Sequence, residues 1–305
     1  MVEAVGAEVE GVRKGDRVVL SYPSCGECPS CATAEPFRCE VIPRLKFGGA
    51  RADGTHTVCC EGTPITSAFF QQSSFATHAI AHASTLVPVD STLPNELLAA
   101  LPCGVQTGAG AMLNTFPVAA KDPVVVIGAG TVGLSAVMAA ASQGAAPLIT
   151  IDPVPARRAL ALELGATHAF AATAETTPQV RAVMPRGARY VLESSGTVDG
   201  LETGMCCLGQ GGAIGIVTAP PTGETFPFST RALFDRVASL HGIVQGSAIP
   251  RAFLPRLLNL HQQGTFPYHK LVKTYPFAAI NQAVEDIKQG TAVKAVLIME
   301  ESAST

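Results

Sequence analysis

Two four-residue apolar runs, Val124–Ile127 and Leu148–Ile151, bracket a stretch of small apolar residues. Runs of this length bounded by glycine and proline predict strands buried on both faces, and the stretch between them predicts a helix. Gly128, Gly130 and Gly133 separate the first strand from that helix, and Gly144 with Pro147 separates the helix from the second strand. The alternation continues: a helix through Leu160 and Leu164 stopped by Gly165, then a strand at Tyr190–Glu193. Gly209-Gln-Gly-Gly212 predicts a turn before a strand at 213–217, and because a strand follows it, it is no second phosphate loop. Strand and helix in alternation predict a doubly wound parallel α/β sheet over residues 105–243. Residues 1–104 predict strands and loops rich in Gly, Pro and Val, with a hairpin around Lys14-Gly15-Asp16 and a strand at 74–82. After residue 244 the chain is expected to return to the first domain. There Ile280, Ala283, Val284 and Ile287 recur at helical spacing and predict a buried face. The Ser-Ala-Ser-Thr tail is expected to fray.

Residues 123–151 carry no charge and are long enough to cross a bilayer of roughly 30 Å, but their glycines break the segment into strand, helix and strand. The chain has 305 residues, 47% of them hydrophobic, which is enough for two domains with substantial cores. A net charge of −3 with scattered Lys and Arg gives no basic patch for nucleic acid or a membrane surface, so small molecules are the expected partners. No basic and apolar leader opens the sequence, so a cytoplasmic location is expected.

The strand, glycine trio, helix and second strand together make a dinucleotide-binding unit. Gly128 and Gly130 allow the turn and a close approach of backbone to a pyrophosphate, and Gly133 lets helix pack on strand. With Thr131 and Val132 at the helix start, these are the expected cofactor contacts. Asp152 closes the second strand and can accept both ribose hydroxyls while repelling a 2′-phosphate. NAD is therefore favoured over NADP, although Arg157 and Arg158 lie close behind.

Four of the nine cysteines, Cys25, Cys28, Cys31 and Cys39, lie in one knuckled loop among Pro23, Gly26, Pro29 and Pro36. Four thiolates at such spacing suit tetrahedral zinc in a closed, structural site, with an iron–sulfur cluster as the rival reading and disulfides behind it. Cys59-Cys60 and Cys206-Cys207 are read as packing. Cys103, in Leu101-Pro-Cys-Gly-Val-Gln-Thr107-Gly-Ala-Gly110, is placed to face the nicotinamide end of a cofactor, against the alternative of a buried core thiol. His78 and His82 are the only suggestive histidine pair, but four residues apart on a strand puts them roughly 13 Å apart, too far to share one ion. His56, His168, His241, His261 and His269 are read as surface or packing residues.

In their order along the chain, the Gly-Asp-Arg-Val turn at Gly15, the four-cysteine lobe, the Cys103-Gly-x-x-Thr107-Gly segment, the glycine turn and Asp152 resemble the zinc-dependent medium-chain alcohol dehydrogenases, within them the aryl and benzyl alcohol branch. The resemblance covers nearly the whole chain. It implies a Rossmann-type NAD-binding domain at 105–243 and a GroES-like β-barrel catalytic domain, N-terminally incomplete, at 1–104 and 244–305, with a structural zinc lobe at 25–39. It implies Cys103 as one of three ligands of a catalytic zinc, Thr107 as a nicotinamide contact, and Lys294 where relatives often carry an arginine facing the pyrophosphate. The family's other two catalytic zinc ligands precede the point where this sequence starts, which implies that about 70 residues are absent. The implied activity is hydride transfer between a primary or secondary alcohol, aromatic in this branch, and its aldehyde or ketone, in a homo-oligomer. The alternative is an NAD-binding homologue without turnover, acting as a partner subunit. A zinc-free reductase of the same superfamily is disfavoured by Cys103 and the four-cysteine lobe.

Overall fold

The structure is a computed structural model that describes residues 1–56, 58–72, 74–218, 223 and 225–299; the Ser-Ala-Ser-Thr tail lies outside them. The N-terminal region is built from short strands: β1 (Val18–Leu20), β2 (Val58–Cys60), β3 (Thr63–Ile65) and β4 (Leu86–Pro88). β1 pairs antiparallel with β4, and β2 with β3, as separate two-stranded ladders. The expected hairpin around Lys14-Gly15-Asp16 is reduced to its turn, with Gly15 at φ +91° and the Asp16 carboxylate accepting from the Arg13 amide at 2.9 Å: no described strand precedes it, and β1 takes β4 as its partner instead. Arg17 ties this ladder to the next helix by donating to the carbonyls of Ser91 and Leu93 and to the side chain of Asn95.

The central sheet contains β5 (Val124–Ile127), β6 (Leu148–Ile151), β7 (His168–Phe170), β8 (Ala188–Glu193), β9 (Leu208–Ile216) and β10 (Ser239–Gly242). All six are parallel, in the spatial order β10-β9-β8-β5-β6-β7. This is the order of a dinucleotide-binding fold, with the reversal between β5 and β8. Successive residues of β5 feed opposite cores: Val124 and Val126 face the cluster under the Thr131–Ser142 helix, and Val125 and Ile127 face the cluster around Val180 and Leu201. Each fully buried branched side chain contributes roughly 1.5–3 kcal/mol, so period-two burial on two faces outweighs the weak helix propensity of the glycine-rich connections.

From Asn95 to Thr115 the chain is helical almost without interruption, with widened turns at Leu101–Val105 and Ala111–Thr115. The expected division at 104/105 falls inside this run. Two glycines let it lie against its neighbours: a Cβ on Gly108 would stand 1.9 Å from the Val132 carbonyl oxygen, and one on Gly110 would stand 2.2 Å from that of Gly246. The chain then returns to the N-terminal region. Arg251, in the helix Pro250–Gln262, donates to the carbonyls of Leu86 and Ala83, and Tyr22 Oη donates to the Ala248 carbonyl at 2.5 Å. β11 (Val272–Pro276) and β12 (Lys294–Ile298) form a parallel pair beside the Asn95–Ala100 helix.

Four further expectations change. Residues 74–82 form bends and no strand, because no described segment pairs with them and a lone strand leaves its backbone groups unsatisfied. Gly209–Gly212 is a bulge within β9, not a turn before it: Ala188 pairs with Leu208 and Tyr190 with Ala213, and Gly211 at φ +68° carries the detour. On the helix Ile280–Gln289 only Ala283 of the expected stripe is buried, with Asp286 beside it, while Val284 and Ile287 are exposed. Asp286 accepts from Lys273 Nζ, Tyr275 Oη and Gln282 Nε2, each at 2.6 Å, so a polar network takes the place of apolar packing. Of the two cysteine pairs only Cys207 is packed, its thiol pushed up to about 12 by burial; Cys59, Cys60 and Cys206 are exposed. Among the described residues no helix is long and apolar enough to cross a membrane.

Candidate functional site

At the end of β5 the backbone turns through Gly128 at φ +89° and reaches Gly130, which caps the Thr131–Ser142 helix without a side-chain hydrogen bond. A Cβ on Gly133 would sit 1.7 Å from the Gly128 carbonyl oxygen, so only glycine permits this helix to approach this strand. A Cβ on Gly130 would meet nothing within 4 Å, which leaves open space over the helix N-terminus. The uncapped amides there form a ready donor set for a pyrophosphate. Thr131 Oγ1 donates to the Val293 carbonyl at 2.9 Å, which brings the start of β12, and Lys294, next to the same N-terminus. Val132 is half-buried in the first turn.

Asp152, 3% exposed, ends β6 one strand away. Its carboxylate accepts from the Ala129 amide at 2.7 Å and the Val154 amide at 2.8 Å, so it is fixed against the glycine turn. Arg158 turns back to the carbonyls of Asp152 and Pro153, and Arg157 donates to the Ile287 carbonyl; neither guanidinium pairs with the Asp152 carboxylate. The sequence reading missed two neighbours. Ser194 Oγ donates to the carbonyls of Ile127 and Gly128 at 2.8 and 3.1 Å, and the buried Glu193 carboxylate accepts from the amides of Ser195 and Gly196 and from the Ser195 hydroxyl. Both stand at the carboxyl end of β8, beside β5, where open α/β sheets hold their ligands. A carboxylate closing a strand and followed by Ser-Ser-Gly was the signal.

Cys103 opens onto a cleft of about 470 Å³ lined also by Leu20, Phe69, Phe70, Pro102 and Lys294. Thr107 is buried one turn further on, in the helix that packs against Thr131–Ser142. Lys46 flanks the cleft, 8% exposed, its Nζ 5.0 Å from the ring centres of Phe47 and Phe70. Burial lowers its affinity for a proton, against an opposing pull from Cys103.

The sulfurs of Cys25, Cys28, Cys31 and Cys39 all lie within 4.8 Å of one another. Cys25 Sγ stands 3.9 Å from Cys31 Sγ and 3.5 Å from Cys39 Sγ, and four sulfurs around a tetrahedral zinc stand about 3.8 Å apart. Amides of Cys25 and Cys28 point at the sulfurs of Cys39 and Cys25 at 3.3 and 3.4 Å. Backbone donation from Glu40 brings the Cys28 thiol down to about 6, whereas burial pushes Cys31 up to about 12 and Cys39 upward. The metal-free cluster therefore resists carrying four negative charges, and a divalent cation removes that conflict. These residues fit a closed zinc site.

Residues 131–262 match the family model described as a zinc-binding dehydrogenase, and residues 1–91 match that of the alcohol dehydrogenase GroES-like domain. A geraniol dehydrogenase from Castellaniella defragrans is 41% identical over 97% of this chain and 80% of its own length. The chain belongs to the zinc-dependent alcohol dehydrogenase family. Its structure superposes on an alcohol dehydrogenase zinc-binding domain protein from Burkholderia ambifaria with a TM-score of 0.93 at 43% identity, over 98% of this chain and 81% of that one. A benzyl alcohol dehydrogenase from Acinetobacter calcoaceticus gives 0.92 at 39%, with the same coverage. This alcohol dehydrogenase is therefore an NAD- and zinc-dependent oxidoreductase that interconverts alcohols and carbonyl compounds, and its cradle and cysteine lobe fit those two cofactors. The Cys103 cleft differs. A catalytic zinc needs three protein ligands and an open position, and among the described residues the cysteine lobe is the only cluster of three or more metal-binding side chains. His78 is exposed and pairs with Glu3 at 3.2 Å, and His82 accepts from the Ser84 amide, so neither completes a set around Cys103. The residues present at Cys103 do not fit a catalytic zinc.

Proposed function

We propose that the glycine turn and Asp152 hold NAD with its nicotinamide end toward the Cys103 cleft, and that the cleft takes a primary or secondary alcohol with a flat apolar body. Bound NAD supplies the hydride acceptor for the carbinol carbon. The helix N-terminus at Gly130–Gly133, with Thr131 and Val132, cradles the pyrophosphate, Asp152 accepts the ribose hydroxyls, and Lys294 sets a positive charge beside the phosphates. Thr107, in the helix packed against Thr131–Ser142, forms part of the nicotinamide side of the pocket. Cys25, Cys28, Cys31 and Cys39 hold one structural zinc. The observation that carries the reading is the Asp152 carboxylate locked by the Ala129 amide onto the glycine turn, because it joins the ribose and pyrophosphate positions in one rigid unit. The aromatic preference draws on Phe69 and Phe70 in the cleft and on the substrate named for the benzyl alcohol relative.

The domains implied are 1–104 and 244–305 for the alcohol and 105–243 for the cofactor. A homo-oligomer is expected through the edge strand β10, where Phe234 and Val237 stand 79% and 76% exposed close by. Nine cysteines outside any disulfide suit the reducing cytoplasm. The test is a fluorescence titration with NADH and NADPH followed by initial rates on benzyl alcohol with NAD. Tight NADH binding, weak NADPH binding and aldehyde formation support the proposal; NADH binding without turnover marks a cofactor-binding subunit, and no binding of either overturns it.

A further inference from the structure

We propose that Gln71 is a positioning residue for the substrate: its side chain locks a strained strap, residues 69–72, whose phenyl rings form the cleft wall that takes flat apolar alcohols. The inference rests on the reading that the alcohol enters beside Cys103. Phe70 lies at φ 57°, ψ 30° and Gln71 at φ 60°, two successive residues other than glycine in the left-handed region. Such a pair is disfavoured and persists only where its surroundings over-determine it. Here they do. Gln71 Nε2 donates to the carbonyls of Leu45 at 3.1 Å and Ala50 at 2.8 Å, which pins the strap to the Ile42–Phe47 helix and the turn after it. The Phe70 ring lies 4.6 Å from that of Phe69 and receives the Lys46 ammonium at 5.0 Å. Lys46 has no carboxylate partner among the described residues, so the rings are its counterpart.

The strap faces a ligand site. Phe69, Phe70 and Gln72 line the same cleft as Cys103. Gln72 Oε1 is buried there and receives no hydrogen bond from the described residues, an acceptor on the wall of a cavity. A strained, doubly clamped aromatic wall is preorganised for a planar apolar body, so its loss weakens binding of such a substrate without altering the reacting carbon.

The chain contains no tryptophan, so Phe70→Trp introduces a single indole that reports on the wall. Its emission is expected to be shielded from acrylamide and to respond to benzaldehyde. Adding Gln71→Ala should expose the indole and weaken the benzaldehyde response about tenfold, the effect of two lost hydrogen bonds. Gln71→Lys, which restores donors for the two carbonyls, should recover both readings. In the chain that keeps Phe70, Gln71→Ala should raise KM for benzyl alcohol about tenfold relative to ethanol with kcat within about twofold, while NADH affinity stays constant. An indole whose shielding ignores Gln71→Ala, or an equal rise of KM for both alcohols, overturns the proposal. Benzaldehyde bound beside the indole without any turnover supports the strap while refuting the catalytic reading. Turnover with an indole blind to benzaldehyde refutes the strap alone.

Discussion

The nucleotide fold and the N-terminal region hold their shapes by different means. In the first, six strands bury nearly all of β5, β6 and β8 between two apolar clusters, and the ligand cradle is a by-product of that packing. In the second, two-stranded ladders leave β2 and β3 wholly exposed, and the cysteine lobe is held by a small cluster around Tyr22, Cys39 and Ile42. A region with so little apolar burial depends on local fixtures: the proposed zinc, the Arg17 bonds, the Gln71 clamp. The comparison predicts that damage to the first region removes the cofactor and damage to the second removes local order only.

The largest expected effect is at the metal. Structural zinc sites contribute about 10–16 kcal/mol of binding free energy, and Cys39 is the buried member of the proposed one. Cys39→Ser or chelation should take zinc from about one per chain to none, open residues 25–39 to proteolysis, and leave NADH affinity within about twofold. Atomic absorption, limited digestion and NADH titration read the three quantities. A loss of NADH binding along with zinc would break the comparison.

Gly133→Val is the reciprocal test. With a Cβ position 1.7 Å from a carbonyl oxygen the helix must leave the strand, and NADH affinity should fall at least about a hundredfold while zinc content is unchanged. Zinc loss in this variant would show the two regions to be one cooperative unit.

What the sequence made legible follows the same divide. β5, the glycine turn, β6 and Asp152 were readable because buried parallel strands are continuous apolar runs and the turn needs glycine at fixed places. The four-cysteine lobe was readable because ligand spacing is a local property. The β9 bulge was not, since Gly211 takes its conformation from the offset against β8, a neighbour in space. Nor was Asp286: hydrophobic periodicity favoured Val284 and Ile287, whereas Tyr275 and Lys273 come from another element and draw the carboxylate inward. Gly108 and Gly110 were noted as part of a motif, but their use, close contact with Val132 and Gly246, needed the third dimension. The segment 74–82 alternates like a strand yet finds no ladder.

A smaller effect is expected at Asp152, where removal of charge sharpens the account of the cradle. Asp152→Asn keeps an acceptor for one amide and loses the charge proposed to hold the ribose hydroxyls, so NADH affinity should fall roughly tenfold. NADPH, no longer repelled, should lose less or gain. Isothermal titration with both cofactors decides it; an equal loss for the two would assign Asp152 a purely structural role.

The smallest effect is expected far from the cradle, at Asp286. Hydrogen bonds from Lys273, Tyr275 and Gln282 bring this carboxyl from the ordinary 3.8 down to about 2. A folded-state value below the unfolded one means that the unfolded chain binds the proton more readily, so the network stabilises fully above pH 3.8 and loses that contribution as pH falls toward 2. Asp286→Asn abolishes the titration. Its melting temperature should lie below that of the parent chain at pH 6, and the two should converge as the acid limit is approached, because protonated Asp286 is already a neutral acceptor. Thermal unfolding across pH 2–6 reads the difference. A gap that stays constant over that range would show the three donors to be held by packing alone, and would make this corner of the return segment resemble the apolar sheet more than the fixture-dependent N-terminal region.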